Sequence, residues 1–198
     1  MKFSVNVLFE DNHLLIVEKP AGVLTQGNQN EDGLEELLRQ KHRFLHCVHR
    51  LDKPVSGIVV FAKSSKALSR LNVSQRESLW TKKYLARVEG RLSGSGTLKH
   101  HLIHGDHRAE IHPEGKLSIL DYTVLEEGDT TLLEITLRTG RYHQIRAQLS
   151  AIGHPILGDH KYGSQSAAQA IALHHSFLSF PHPVKPELIT IQLATNRF

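Results

Sequence analysis

The chain has 198 residues, which suits one domain, or one domain on a lobed sheet, and is long enough to bury a core of its own. Lys and Arg number 24 against 20 Asp and Glu, so the net charge is +4, a mild basic excess that suits a polyanionic partner without requiring one. The single cysteine, Cys47, excludes an internal disulfide, no apolar run approaches the roughly 18 residues of a membrane span, and residues 1–7 lack the apolar core of a secretion signal. A cytoplasmic protein without membrane association is the expectation.

Taken in chain order, residues 5–10 and 13–19 are β-like runs around the turn-forming pair Asp11-Asn12, which predicts a hairpin ended by Lys19-Pro20-Ala21-Gly22. Leucines at helical spacing, with acids early and bases late, predict a short surface helix over 33–41. The run 58–63 is apolar and rich in β-branched residues, as a buried strand would be. Ser64-Ser65 is placed to cap a second helix carrying Leu68 and Leu71 on one face. Residues 83–88 alternate like a half-buried strand, with Tyr84 on it, and Ser93 to Gly96 form a flexible turn.

Residues 100–115 read as an irregular polar segment, followed by a hairpin of 117–125 and 131–137. The spacing of Ile145, Leu149 and Ile152 predicts a helix over 143–152 that stops at Gly153, with Arg146 at the margin of its buried face. One or two helical turns are expected over 165–172, then closing strands over 173–180 and 187–194. Strands in hairpin order with few helices between them predict an α+β fold, a mostly antiparallel mixed sheet flanked by helices and loops, as a single domain over 1–198.

The stretch His49-Arg50-Leu51-Asp52-Lys53-Pro54-Val55-Ser56-Gly57 brings an arginine and a carboxylate two positions apart to a Pro/Gly turn before the buried strand. A half-buried carboxylate there needs a cation or hydrogen-bond donors, although an aspartate that merely opens the Lys53-Pro54 turn would leave the same trace. On an extended segment the Arg50 and Asp52 side chains leave the same face.

This stretch resembles the signature of the RluA-type pseudouridine synthases, which isomerise uridine to pseudouridine in ribosomal and transfer RNA. Two further blocks match in the same order: Lys82-Lys83-Tyr84-Leu85-Ala86-Arg87-Val88-Glu89-Gly90, and Thr139-Gly140-Arg141-Tyr142-His143-Gln144-Ile145-Arg146 with Gly153-His154-Pro155-Ile156-Leu157-Gly158-Asp159 after it. Asn12 to Leu24, Leu173-His174 and Phe180-Pro181-His182-Pro183 are similar to the family's margins. The resemblance implies Asp52 as nucleophile, Arg146 as its ionic partner and Tyr84 against the target base. It further implies substrate contacts from Arg50, His49, Lys82, Arg141, His143 and Gln144, with Arg50 aiding nucleotide flipping.

It implies an RNA partner, either transfer RNA or large-subunit ribosomal RNA, and a monomer with no cofactor, no metal and no obligatory protein partner. Because the match begins within the first dozen residues, no additional N-terminal RNA-binding domain is expected. Whether Asp52 attacks C1′, adds to the ring or removes a ribose proton stays open at this level. Val55, Tyr142 and Gln148 depart from the family pattern, which usually has threonine, threonine or serine, and histidine there. Two alternatives accompany this reading: a catalytically weak RNA-binding protein on the same fold, and a metal-dependent hydrolase built on His100, His101, His104, His107 and His112. The histidine spacing matches no metal site, and RNA-facing or solvated imidazoles are the expectation.

Overall fold

The computed structural model describes residues 5–194 and 198, so the first four residues of the stretch 1–7 lie outside it. The described residues form two compact units, one from 5–81 and 175–194 and the other from 82–174 with 198. The chain passes between them at Thr81/Lys82 and again at His174/His175.

In the first unit, β1 (Asn6–Glu10) and β2 (Leu14–Lys19) form the expected antiparallel hairpin. Its turn is set by the Asp11 carboxylate, which accepts from the N–H groups of His13 at 2.7 Å and Leu14 at 2.8 Å. Next in chain order come α1 (Leu34–Arg39), the two-residue β3 (His46–Cys47), β4 (Ser56–Ala62), α2 (Ser65–Arg76), and, at the end, β10 (Leu173–Pro181) and β11 (Leu188–Gln192). Strand order runs β1-β2-β4-β10, with β3 beside β4 and β11 beside β10.

Leu14 to Val17 and Ile58 to Ala62 are all buried, as continuous apolar strands are when both faces of a sheet are covered. Ser64 caps α2 by accepting from the Ala67 N–H, and the helix lays Ala67 and Leu71 on the core formed by Ile16, Ile58, Val60 and Phe180. Trp80 stacks on Phe180 at 4.4 Å and donates its indole N–H to Ser74 Oγ at 2.8 Å, so its polar atom is buried with a partner. Gly57, at φ +123°, allows the closest backbone approach: a Cβ there would lie 2.3 Å from the carbonyl oxygen of His175. The β2/β4 register sets Lys19 opposite Gly57, which brings the end of the first hairpin to the start of the motif strand.

In the second unit, β5 (Thr81–Glu89), β6 (Ser95–His104), β7 (Ala109–Ile111), β8 (Lys116–Glu126) and β9 (Thr130–Leu137) pair in the order β5-β9-β8-β6-β7, each described pair antiparallel. The helix α3 (Gln144–Ala151) follows, ending as expected at Gly153, whose φ of +81° and N–H bond back to Ser150 close the last turn. One turn of 3₁₀ helix covers His160–Tyr162.

Three expectations are corrected here. Residues 100–115 are not irregular: β6 and β7 form a hairpin that pairs Leu102 with Ile111 and His104 with Ala109. Only Leu102 and Ala109 of this hairpin are buried, against Ala147 and Tyr162, so its alternation is too sparse to read from the chain. Residues 165–172 are not helical: the Ala172 N–H, which a helix would turn back on residue 168, donates to the Leu157 carbonyl at 2.9 Å, and the Ala172 carbonyl accepts from the Arg87 N–H at 3.0 Å. The Glu89 carboxylate ties down the start of the segment, taking the N–H groups of Gln165 and Ser166 at 2.8 and 2.9 Å and the Ser164 hydroxyl at 2.6 Å. The flexible turn placed at 93–96 is likewise shorter, since β6 begins at Ser95.

Candidate active site

In the first unit the motif loop is built around Asp52. Its carbonyl accepts from the Val55 N–H at 3.0 Å, closing the Lys53-Pro54 turn, and Leu51 and Val55 on either side are buried. The Thr25 hydroxyl accepts from the Leu51 N–H at 3.0 Å and donates to the Leu51 carbonyl at 2.9 Å. The Lys53 carbonyl accepts from the Gly22 N–H at 2.8 Å and from Lys19 Nζ at 3.1 Å. Both residues flanking Asp52 are therefore tied to the loop 19–25, and the backbone that carries the half-buried Asp52 side chain is held in place.

Lys19 is the residue that sequence reasoning passed over. It is 0% exposed, and its ammonium donates to the carbonyls of Pro20 at 3.0 Å, Val23 at 2.6 Å and Lys53 at 3.1 Å. Burial pulls its pKa down to about 8, against the opposing charge of Asp52, so it remains a cation at neutral pH. A lysine followed by proline at a strand end was its only trace in the chain.

Arg50 is exposed beside Asp52. His49 is half-buried, with Nε2 accepting from the Val60 N–H at 3.3 Å and its ring edge-on to Trp80 and His175. It anchors the loop to β4. Cys47 carries no reactive thiol, since burial and the nearby Glu35 push it up to about 12.

In the second unit, Tyr84 lies on β5 opposite Ile135 of β9 and is 7% exposed. Lys82 precedes it by two on the same face, and burial pulls its ammonium down to about 8. The block 139–146 runs from a loop into α3. Gln144, expected to meet the substrate, is buried with both ends of its amide engaged: Oε1 accepts from the Thr139 hydroxyl at 2.9 Å and the Arg141 N–H at 3.0 Å, and Nε2 donates to the Ile119 carbonyl at 3.1 Å. It shapes the loop and leaves Arg141 exposed at its crest.

Arg146 is 5% exposed, and its Nε and Nη2 form a fork on Asp159, itself 1% exposed, at 2.7 and 2.9 Å. Nη1 lies 2.9 Å from His143 Nε2, and His143 Nδ1 lies 3.0 Å from the Tyr162 hydroxyl. Because the guanidinium only donates, Nε2 is the acceptor and Nδ1 carries the proton, which it gives to Tyr162. The Tyr162 oxygen also accepts from the Ala109 N–H at 2.7 Å. This chain fixes Arg146, His143 and the β6–β7 hairpin as one network. Asp159 is the second residue that the sequence did not single out, although it closes the Gly-Asp end of a matched block.

Among the described residues, no group of three His, Cys, Asp or Glu side chains is arranged to hold a metal ion, and no helix is long and apolar enough to cross a membrane. His100 Nδ1 lies 3.2 Å from Gln148 Nε2, and the other histidines of 100–112 are exposed.

Residues 13–151 match the family described as RNA pseudouridylate synthase. The chain belongs to the RNA pseudouridylate synthase family. It is 35% identical to a ribosomal large subunit pseudouridine synthase C of Buchnera aphidicola, over 90% of this chain and 63% of that one. It is 34% identical to an uncharacterised RNA pseudouridine synthase of Bacillus subtilis, over 96% of this chain and 68% of that one. The synthase C of Escherichia coli K12 gives 34% over 94% and 65%. The chain thus spans roughly two thirds of the length of these relatives. The human RNA pseudouridylate synthase domain containing 1 shares the fold at a TM-score of 0.86 and 24% identity, covering 98% of this chain and 85% of the other.

Proposed function

We propose that the chain isomerises uridine to pseudouridine within RNA. The bond from uracil N1 to ribose C1′ breaks, the base turns, C5 joins C1′ and loses its proton, and N1 takes one up. Atoms balance within the substrate, so the reading includes no cofactor or metal. Asp52 is the reacting group: attack at C1′, addition to the ring and removal of a ribose proton each begin from an ionised carboxylate of fixed aim.

The mounting of Asp52 carries this reading. The Val55 N–H donates to the Asp52 backbone carbonyl, a contact that any residue type could make, so the turn by itself does not call for an aspartate. A fully buried lysine acting on it is a different matter, since shifting an ammonium from 10.5 to about 8 corresponds to roughly 3 kcal/mol of desolvation that the fold carries. Tyr84 stacks on the extruded uracil, Arg146 supplies a cation for the carboxylate, and Arg50 occupies the gap left by the flipped nucleotide. Lys82 and Arg141 meet phosphate. The names of the relatives favour large-subunit ribosomal RNA over transfer RNA as substrate, and the protein acts as a single chain in the cytoplasm.

The test is to incubate the purified chain with ribosomal and transfer RNA and to map pseudouridine by carbodiimide adducts and primer-extension stops. New stops are expected with the wild type and none with Asp52→Asn. Absence of product from every RNA would refute the reaction, and product from Asp52→Asn would refute the role of Asp52.

A further inference from the structure

Within the second unit a groove of about 390 Å³ lies between His104 at the end of β6, Lys116 at the start of β8, and Arg141-Tyr142 before α3. Its most unusual feature is the Tyr142 ring, a large side chain left 42% exposed. This tyrosine is braced. Its ring stacks on His143 with centroids 3.8 Å apart and planes at 18°, and the His104 ring meets it edge-on at 4.1 Å. His143 cannot swing away, because Arg146 and Tyr162 hold its two nitrogens. An exposed aromatic plane is thus fixed to the buried network of α3.

Around this plane the groove offers the exposed cations Arg141 and Lys116, one acid, Glu114, and a short apolar wall of Leu102 and Ile103. A free anion would need the cations and not the ring. An apolar peptide would need a longer greasy wall than two residues provide. A nucleotide uses both features, a π-face for the ring and a phosphate for the cations, and the volume lies at the small end of ligand sites.

We propose that this groove is a subsite for one unpaired nucleotide of the substrate RNA, its base on Tyr142 and its phosphate against Arg141 and Lys116. The proposal rests on the reading of the chain as an RNA-modifying enzyme and adds a specificity element to it.

The experiment is fluorescence anisotropy of a labelled oligouridylate of about ten residues, titrated with the full chain and its variants over a salt series. Tyr142→Ala should weaken binding about tenfold, with the slope of log K against log salt unchanged, because stacking releases no counterion. Tyr142→Phe should stay within about twofold of the wild type, since it keeps the π-face. Arg141→Ala should lower the slope by about one. Should Tyr142→Ala lower the thermal midpoint, Tyr142→Leu keeps the bulk without the aromatic face and carries the same expectation.

Equal binding by wild type and Tyr142→Ala, or a loss in Tyr142→Phe as large as in Tyr142→Ala, overturns the subsite. A chain that forms pseudouridine but binds the oligonucleotide without regard to the ring refutes the subsite alone. Ring-dependent binding by a chain that forms no pseudouridine refutes the reaction and leaves the subsite standing.

Discussion

Replacing Asp159 by alanine tests the mounting of Arg146. The pair is desolvated, with the carboxylate 1% and the guanidinium 5% exposed and two fork contacts of 2.7 and 2.9 Å. Removing the carboxylate deprives a buried guanidinium of its bidentate partner, which costs about 3–5 kcal/mol, far above the value of an exposed ion pair. At roughly 2–4 °C per kcal/mol for a chain of this size, the thermal midpoint of Asp159→Ala should fall by about 6–20 °C. Arg146→Ala orphans Asp159 in the mirror sense and also removes the donor to His143, so its loss should lie toward the upper end.

The double variant Arg146→Met/Asp159→Leu removes both charges and fills the space with apolar side chains. It should recover most of either loss, giving a coupling of roughly 3 kcal/mol in a double-mutant cycle measured by urea denaturation. A cost below about 1 kcal/mol for Asp159→Ala, or additive losses in the double variant, would refute the argument.

Asp52→Asn should bring pseudouridine formation to background, with a folded chain that still binds RNA, and adding Arg146→Ala should slow it no further if the two residues act as one unit. Lys19→Met should change the pH dependence of stability in a defined window. The unfolded lysine holds its proton up to 10.5 and the folded one only to about 8, so stability in the wild type gains roughly 3 kcal/mol from this group as pH rises through that interval. The variant lacks this rise, and the difference between the two curves is the measurement, because Cys47 and Tyr162, both pushed up to about 12, act in the opposite sense at alkaline pH. Identical curves would show that Lys19 is not a desolvated cation. Treatment with a strong chelator should leave product formation unchanged, whereas loss of activity restored by zinc would revive the metal-dependent alternative.

The hairpins, the capped helix α2 and the stop of α3 at Gly153 were legible because each is written locally: an Asx turn at Asp11, a serine at the helix entry, a glycine past the helix end. The β6–β7 hairpin was hidden, since a strand that buries only Leu102 among exposed histidines has no readable period. The false helix at 165–172 shows the opposite error. Its composition allowed a helix, and the decision was made by distant partners: Arg87 and Leu157 draw Ala172 into backbone pairing, and Glu89, about 75 residues away in sequence, ties down Gln165 and Ser166. Of the candidate site residues, Asp52, Tyr84 and Arg146 are marked by motifs, while Lys19 and Asp159 could not be ranked, because a buried partner is recognised only by what surrounds it.

The loop that carries Asp52 and the loop that carries Arg141, each within its own unit, use one device. In each, a loop bearing a functional group is fixed through its backbone by a buried polar side chain: Thr25 and Lys19 hold the peptides on both sides of Asp52, and Gln144 holds the peptide of Arg141. Backbone tethering fixes where a side chain leaves its loop, whatever the tip itself contacts. The consequence is an asymmetry between positions. Substitution of an exposed residue such as Arg50 or Arg141 should alter RNA binding at nearly constant stability. Substitution of the tethers should act through geometry, where a displacement of about 1 Å at a reacting group can reduce rate about a hundredfold. Gln144→Glu makes the distinction sharp, because a carboxylate still accepts from Arg141 and Thr139 but loses the Nε2 donor and confronts the Ile119 carbonyl with an acceptor. That change should destabilise the loop at every salt concentration, whereas Arg141→Ala should be felt chiefly at low salt, where phosphate contacts dominate.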